Sequence, residues 1–311
     1  MSLRIIFSGS GEFGVPTLGA LLRSQHQMVQ VISQPDRPAG RGRGMTPTPV
    51  SQAAVAANLP LLRTDNINVE KLPDADVMVV IAFGQKVAEE VVHHPRLGSI
   101  NLHASRLPKY RGAAPINWAI LNGETVTGNS VIRLAQKMDA GAVLGQSEVP
   151  IGETETAGEL HDRLAQDGVA LVLRVIDDLA TGRAVETQQD ESRATLAPKL
   201  SRAAAKLDFA RPAEEVARKI RGLHPWPGCR VRLCDAAGTE LARLRLVRAR
   251  PTPTEGPRWH PGEIMTDGFV QTGEGGLEVI DLQPDGRGVM PLADYRRGHA
   301  WPPGARVEAV E

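Results

Sequence analysis

A chain of 311 residues with no formal net charge, 41% hydrophobic and 23% charged, has neither a disordered nor a fibrous composition. The charge balance excludes a globally basic nucleic-acid binder, so any phosphate partner must meet a local patch. Two cysteines, Cys229 and Cys234, are too few for a disulfide framework, and a reducing cytosol with no bound metal is expected.

The length suits one large domain or two ordinary ones. No secretory leader is visible, and the strongest apolar run, Val77–Phe83, is too short to cross a bilayer. A cytoplasmic protein without a membrane partner is expected, with a monomer as the default.

Leu3–Phe7 reads as a strand, and Pro16–Arg23 as a helix with proline in its first turn. Between them, Gly9, Gly11 and Gly14 spell G-x-G-x-x-G, the dinucleotide-binding fingerprint. A dinucleotide site also needs an acid at the end of the second strand to take the ribose hydroxyls. Met28–Ser33 ends in Ser33-Gln34 instead, and the nearest acid, Asp36, lies beyond Pro35. No NAD is expected, and the glycines read as a tight strand-to-helix turn. Gln34–Pro49 is rich in Pro, Gly and Arg and reads as an irregular loop, before a helix over Val50–Asn58.

Asp76–Ala82 is almost wholly apolar, as in a strand covered on both faces. Ser99–Leu102, Asn129–Leu134 and Val143–Val149 are further strands; Ala114–Leu121 and Thr156–Leu179 are helices. This alternation predicts a doubly wound, mostly parallel α/β sheet over residues 1–183. The polar stretch 184–205 reads as a linker. Residues 206–311 hold one amphipathic helix, Pro212–Arg221, then short strands between turn signals, which predicts a small all-β, OB-like barrel.

Period two places Asn101 and His103 on one face of a strand, with Ile100 and Leu102 on the other. They lie at the strand's end, where open α/β sheets bind ligands. Asp139 occupies a turn between two later strands. A neutral donor, an imidazole and a carboxylate suit proton transfer and oxyanion stabilisation in acyl transfer. No Ser or Cys in an elbow context accompanies them, which points to direct transfer rather than a covalent acyl-enzyme.

The segments Asn101–Pro115 (NLHASRLPKYRGAAP), Met138–Gly141, Gln34–Gly42 (QPDRPAGRG), Asp76–Gly84, Ala197–Leu200, Ile220-Arg221 and Pro225–Gly228 closely resemble the folate-dependent formyltransferases. The arginine loop and the second domain resemble the tRNA-acting branch. The resemblance implies transfer of a formyl group from 10-formyltetrahydrofolate to the amino group of methionyl initiator tRNA. It places the family's catalytic residues on Asn101, as donor to the formyl oxygen, His103, in proton transfer or as a charged stabiliser, and Asp139, which tunes the histidine and organises water. It places folate contacts on Ser105, Arg106, Leu107 and Pro108 and on the loop Phe83, Gly84, Gln85, Lys86 and Val87. Arg106 replaces a usual leucine, and Gln85 and Lys86 stand where the family is usually apolar. Pairing of Arg106 or Lys86 with the carboxylates of a folate tail is one expectation from these departures.

Beside that resemblance, Arg37, Arg41 and Arg43 read as a tRNA-contacting loop, ordering on contact with the acceptor end. The β region carries Arg230, Arg232, Arg243, Arg245, Arg248 and Arg250, and Arg243 and Arg245 share a strand face suited to a tRNA backbone. A formyltransferase acting on a small amine, and an NAD(P) oxidoreductase resting on the three glycines, are the competing readings.

Overall fold

The strands of the first half form where the chain runs apolar. In a computed structural model, which describes residues 1–39, 44–254 and 259–310, they assemble one seven-stranded sheet. Its order is Val143–Gln146, Ser130–Arg133, Ser99–His103, Val77–Ile81, Arg4–Gly9, Gln27–Ser33, Leu61–Arg63. The five strands from Ser99–His103 onward are mutually parallel, and Ser130–Arg133 runs antiparallel to both its neighbours. The chain winds outward from Arg4–Gly9 in one direction, then returns to Val77–Ile81 on its other side. That reversal opens the crevice at the carboxyl ends of the strands where doubly wound sheets bind ligands.

Val77–Ile81 is buried along its whole length, as its unbroken apolar run requires. Ile6, Ile32, Met78, Val80 and Phe83 form one core cluster with Ile67, Leu72 and Val91. The apolar face of Ser99–His103 is covered by the helix Ala157–Thr181. Gly168 of that helix lies so close that a β-carbon there would sit 2.6 Å from Leu102 Cδ2. With Ile100 and Leu102 facing that way, Asn101 and His103 face the other.

Contacts divide the chain into two units that alternate along the sequence. The first comprises Met1–Gly112, Thr127–Val149 and His161–Ala197; the second comprises Ala113–Val126, Pro150–Leu160 and the remainder from Pro198. In the second, Cys229–Cys234, Glu240–Thr252, Gly276–Pro284, Val270–Gln271 and Arg306–Ala309 form an antiparallel sheet. Glu263 bridges Arg306 and Ile264 bridges Val270, so the two edges meet and the sheet curls into a barrel. The helix Ala213–Gly222 buries Val216, Ala217 and Ile220 in the barrel's core. The helix Pro115–Leu121 packs in the same unit, with Trp118 Nε1 donating to the Pro198 carbonyl at 2.9 Å.

Three segments differ from expectation. Part of the stretch Gln34–Pro49 is regular: Arg37–Ala39 and Gly44–Thr46 pair antiparallel. A two-stranded ribbon satisfies its backbone without an apolar pattern and tolerates Pro38 on its edge. The stretch 184–205 carries specific pairings: Thr187 bridges Val143, and Leu196–Ala197 pairs in parallel with Arg111–Gly112. Leu61–Arg63, too short to announce itself, adds an edge strand to the sheet.

The Gly9–Gly14 turn is built by close backbone approach. A β-carbon at Gly9 would lie 2.7 Å from the Ile81 carbonyl, and the amides of Ser10 and Gly11 both donate to Ala82 O at 3.3 Å. Those amides are therefore engaged with backbone rather than aimed at a phosphate. At Gly11 a β-carbon would meet the Ala82 methyl at 3.2 Å and its carbonyl at an ordinary 3.8 Å, and Gly11 is extended. Gly9→Ala is expected to lose about 1–3 kcal/mol of stability, and Gly11→Ala about 1 kcal/mol or less. Urea denaturation of both variants measures the difference.

Candidate active site

The strand Ser99–His103 is held on both sides, with Asn101 opposite Val80 and Ile132, and His103 opposite Ser130. Asn101 is half-buried, and among the described residues its amide makes no hydrogen bond. A positioned donor with no internal acceptor is what a carbonyl substrate requires. His103 is 7% exposed. Its Nε2 lies 2.9 Å from the Tyr110 carbonyl, which can only accept, so Nε2 carries a hydrogen. That leaves Nδ1 as the exchangeable position, and it faces Asp139 Oδ2 at 3.7 Å.

Asp139 sits in the turn between Ser130–Arg133 and Val143–Gln146, in the left-handed region at φ +54°. Its Oδ2 accepts the Gly112 amide at 2.8 Å. Two residues on, a β-carbon at Gly141 would fall 1.9 Å from the Arg133 carbonyl, so the turn lies directly against the neighbouring strand. The intervening Arg111 is 4% exposed. Its guanidinium binds Glu191 through Nη2 at 2.8 Å and Nη1 at 3.1 Å, and donates to Gln189 Oε1. Lys137 adds a second cation to Glu191 at 2.5 Å.

The segment expected to contact folate is anchored from beneath. Ser130 Oγ donates to the Ser105 carbonyl and accepts the Leu107 amide, and Gln146 Nε2 donates to the Leu107 carbonyl at 2.8 Å. Ser105 and Leu107 are buried, Pro108 is half-buried, and Arg106 is exposed, with Nη1 2.7 Å from Glu148 Oε2. An exposed pair of this kind holds its partners weakly. In the neighbouring loop Phe83 is buried, and its carbonyl accepts from Gln34 Nε2 at 2.7 Å and Ser10 Oγ at 3.2 Å. Gly84 adopts φ +77°, and a β-carbon there would strike Gln34 Nε2 at 2.5 Å. The Gln85 side chain turns inward, accepting from Ile67 N at 2.8 Å and donating to Thr64 O at 2.7 Å. It braces the loop. Lys86 is exposed and Val87 half-buried.

Arg37 is exposed in its two-stranded ribbon, and Arg41 and Arg43 lie outside the described residues. In the second unit Arg243 and Arg245 do share a face, with the buried Leu244 between them. Most arginines of that unit already have carboxylate partners. Arg243 pairs with Glu240, Arg232 with Glu308, Arg250 with Glu278, and Arg248 with both Asp281 and Glu159. Arg230 and Arg245 stand directly opposite one another across two strands, and among the described residues neither meets a carboxylate. Among the described residues Arg245 reaches only Gln283 Oε1, at 3.3 Å, and its buried Nε has no acceptor. Like charges directly opposed in a ladder are unfavourable unless an anion joins them.

The sequence pattern did not single out Tyr110, Gln189, Glu191, Ser130, Gln146 or Gln34 as site-builders. Only Tyr110 and Gln34 carried a signal, by lying within the quoted motifs.

Arg111 and Lys137 hold the Glu191 carboxyl down from the ordinary value of 4.5 to about 2. Its folded value is depressed, so its contribution to stability is present above 4.5 and is lost as the pH falls toward 2. Glu191→Gln is expected to be less stable than the parent at neutral pH, with the gap closing across that window. Urea midpoints of both proteins at several pH values check this.

A family profile described as "Formyl transferase" matches residues 1–176, and one described as "Formyl transferase, C-terminal domain" matches residues 199–300. A protein of Acidobacterium capsulatum named methionyl-tRNA formyltransferase is 40% identical over 318 residues, covering 99% of this chain and 100% of its own. One of the same name from Moorella thermoacetica is 38% identical over 317 residues, with coverage of 99% and 100%. Among solved structures, the N-formyltransferase of Helicobacter canadensis, in complex with folinic acid and dTDP-3-aminofucose, superposes with a TM-score of 0.65 at 16% identity. It covers 91% of this chain and 100% of that one. HypX of Aquifex aeolicus, in complex with tetrahydrofolic acid, gives a TM-score of 0.62 at 18% identity over 95% of this chain, which spans 47% of HypX. At those identities the likeness is one of fold. The full-length relatives and both profiles carry more: the chain belongs to the formyl transferase family.

Proposed function

We propose that this chain transfers the formyl group of 10-formyltetrahydrofolate to the free amino group of methionyl initiator tRNA. The observation that carries the chemistry is the junction of three groups at the sheet's carboxyl edge. These are an unengaged Asn101 amide, a His103 ring tied through Nε2, and an Asp139 carboxylate 3.7 Å from Nδ1. The choice of acceptor is supported by relatives of that name that match end to end.

The amine's lone pair attacks the formyl carbon, and the carbonyl pair moves onto oxygen. Asn101 donates to that oxygen as charge develops on it. His103 accepts the proton leaving the amine at Nδ1, the one ring position not engaged by Tyr110, and the imidazolium then faces the Asp139 carboxylate. The oxygen's pair then re-forms the carbonyl, and the carbon–nitrogen bond to the folate breaks as its nitrogen takes the proton from the imidazolium, which returns His103 to the neutral ring. The donor would lie against the Ser105–Pro108 segment and the Phe83–Val87 loop. Because Gln85 is turned inward, contacts there would come from Pro108, Val87 and backbone.

Incubation with 10-formyltetrahydrofolate and methionyl-tRNA is expected to yield formylmethionyl-tRNA, and small amines are expected to be poor acceptors. Asn101→Ala should lower kcat by about a hundred- to a thousand-fold, and His103→Asn by about a hundred-fold or more. Activity confined to small amines, or full activity in both variants, would reject the reading.

Arg37, Arg41 and Arg43 would serve the acceptor end of the tRNA. On the barrel, the opposed pair Arg230 and Arg245 is better placed for a phosphate than Arg243, which Glu240 already neutralises. Replacing Arg230 and Arg245 by alanine should reduce the slope of log Kd for tRNA against log salt by about 1–2. Arg243→Ala should change it less. Titrations at several salt concentrations measure both.

A further inference from the structure

Asp139 is a side chain in a left-handed turn, and its aim at His103 depends on what keeps that turn in place. Gly112 N binds its carboxylate, but a single bond to a side chain does not define a backbone. Within the turn Ala140 N donates to Lys137 O at 3.2 Å and Arg133 N to Ala142 O at 2.9 Å, and the side chain of Gln189 ties its backbone from outside. Gln189 Nε2 donates to the carbonyls of both Asp139 and Gly141, each at 2.8 Å. Its Oε1 accepts from Arg111 Nε at 3.1 Å and Nη2 at 2.7 Å. The amide is thus fully engaged, with a two-pronged grip at either end.

We propose that Gln189 is a positioning residue for formyl transfer: it fixes the turn that presents Asp139 to the Nδ1 face of His103. The proposal rests on the reading of His103 and Asp139 given above. Three neighbouring residues supply one common frame. The Tyr110 carbonyl orients the imidazole, the Gly112 amide orients the carboxylate, and the Arg111 guanidinium orients Gln189. On its other side the turn lies against Arg133, where Gly141 leaves no room for a β-carbon. Gln189 closes the remaining side. Supporting groups that lock a reacting group within a fraction of an ångström are required for efficient transfer.

Gln189→Glu preserves shape and strengthens the contact to Arg111, but it turns a carboxylate oxygen toward two carbonyls that need a donor. A merely structural role would show as lost stability, with kcat of the folded fraction close to normal. A positioning role lowers kcat by about ten- to a hundred-fold with KM for folate and tRNA within about twofold. Gln189→Met, which keeps the length and removes all four bonds, should fall in the same range and serves if the glutamate variant does not fold. In an Asp139→Asn background, measured by single-turnover transfer of a radiolabelled formyl group, the Gln189 substitution should add less than about twofold. A kcat within twofold of the parent, a rise in KM that accounts for the whole loss, or the same fold-loss in the Asp139→Asn background would each overturn the proposal. If the parent does not formylate methionyl-tRNA, or His103→Asn transfers normally, the functional reading fails instead.

Discussion

The guanidinium of Arg111 is almost entirely withdrawn from water, and a buried charge must be paired. That demand draws Gln189 and Glu191 back across the sheet from a stretch of chain with little apolar content of its own. Once there, the same stretch adds Leu196–Ala197 alongside Arg111–Gly112, and Thr195 binds the backbone of Tyr110 and Arg111. The Tyr110–Gly112 strip is thereby immobilised between a charge network and a short ladder. The imidazole and carboxylate of the site both take their orientation from that strip. The removal of one charge from solvent thus organises the geometry of groups that do not touch it.

A second constraint operates at the sheet's edge. The Phe83–Val87 loop hangs from the ends of two neighbouring strands through Ser10 and Gln34, and is braced from behind by Gln85. The Ser105–Pro108 segment hangs from Ser130 and Gln146. In each case neutral polar side chains bind a loop carbonyl. The barrel follows a different logic. Most of its described arginines are paired with carboxylates in place, and the opposed Arg230 and Arg245 are among those that are not.

Much of this was legible beforehand. The strand Val77–Ile81 announced itself by unbroken apolarity, and the alternation at Ile100–His103 assigned Asn101 and His103 to one face. Asp139 was marked by its place before Ala140-Gly141 between two strand patterns. The ribbon around Arg37 was not legible, since prolines, glycines and arginines show no strand period, and pairing there is purely backbone. Gln189 was hidden for a related reason. A glutamine in a polar run has the composition of a linker, and nothing local records that its partners are Arg111 and the Asp139 turn. Gln85, expected at a folate contact from its place in the motif, has its amide on Thr64 and Ile67, partners that nothing local records.

By itself the sequence determined the element types, the parallel α/β sheet, the barrel pattern and the residue kinds that acyl transfer needs. These follow from short-range period and from chemistry carried by single side chains. Only the tertiary structure decided which ring nitrogen of His103 is left by Tyr110, what holds Asp139 in its turn, and which arginines have a carboxylate partner among the described residues. Those facts join residues from 3 to 89 positions apart, through hydrogen bonds and ion pairs with no sequence period. Such contacts exist only once burial has made leaving a donor, an acceptor or a charge unpaired more costly than ordering the chain that satisfies it.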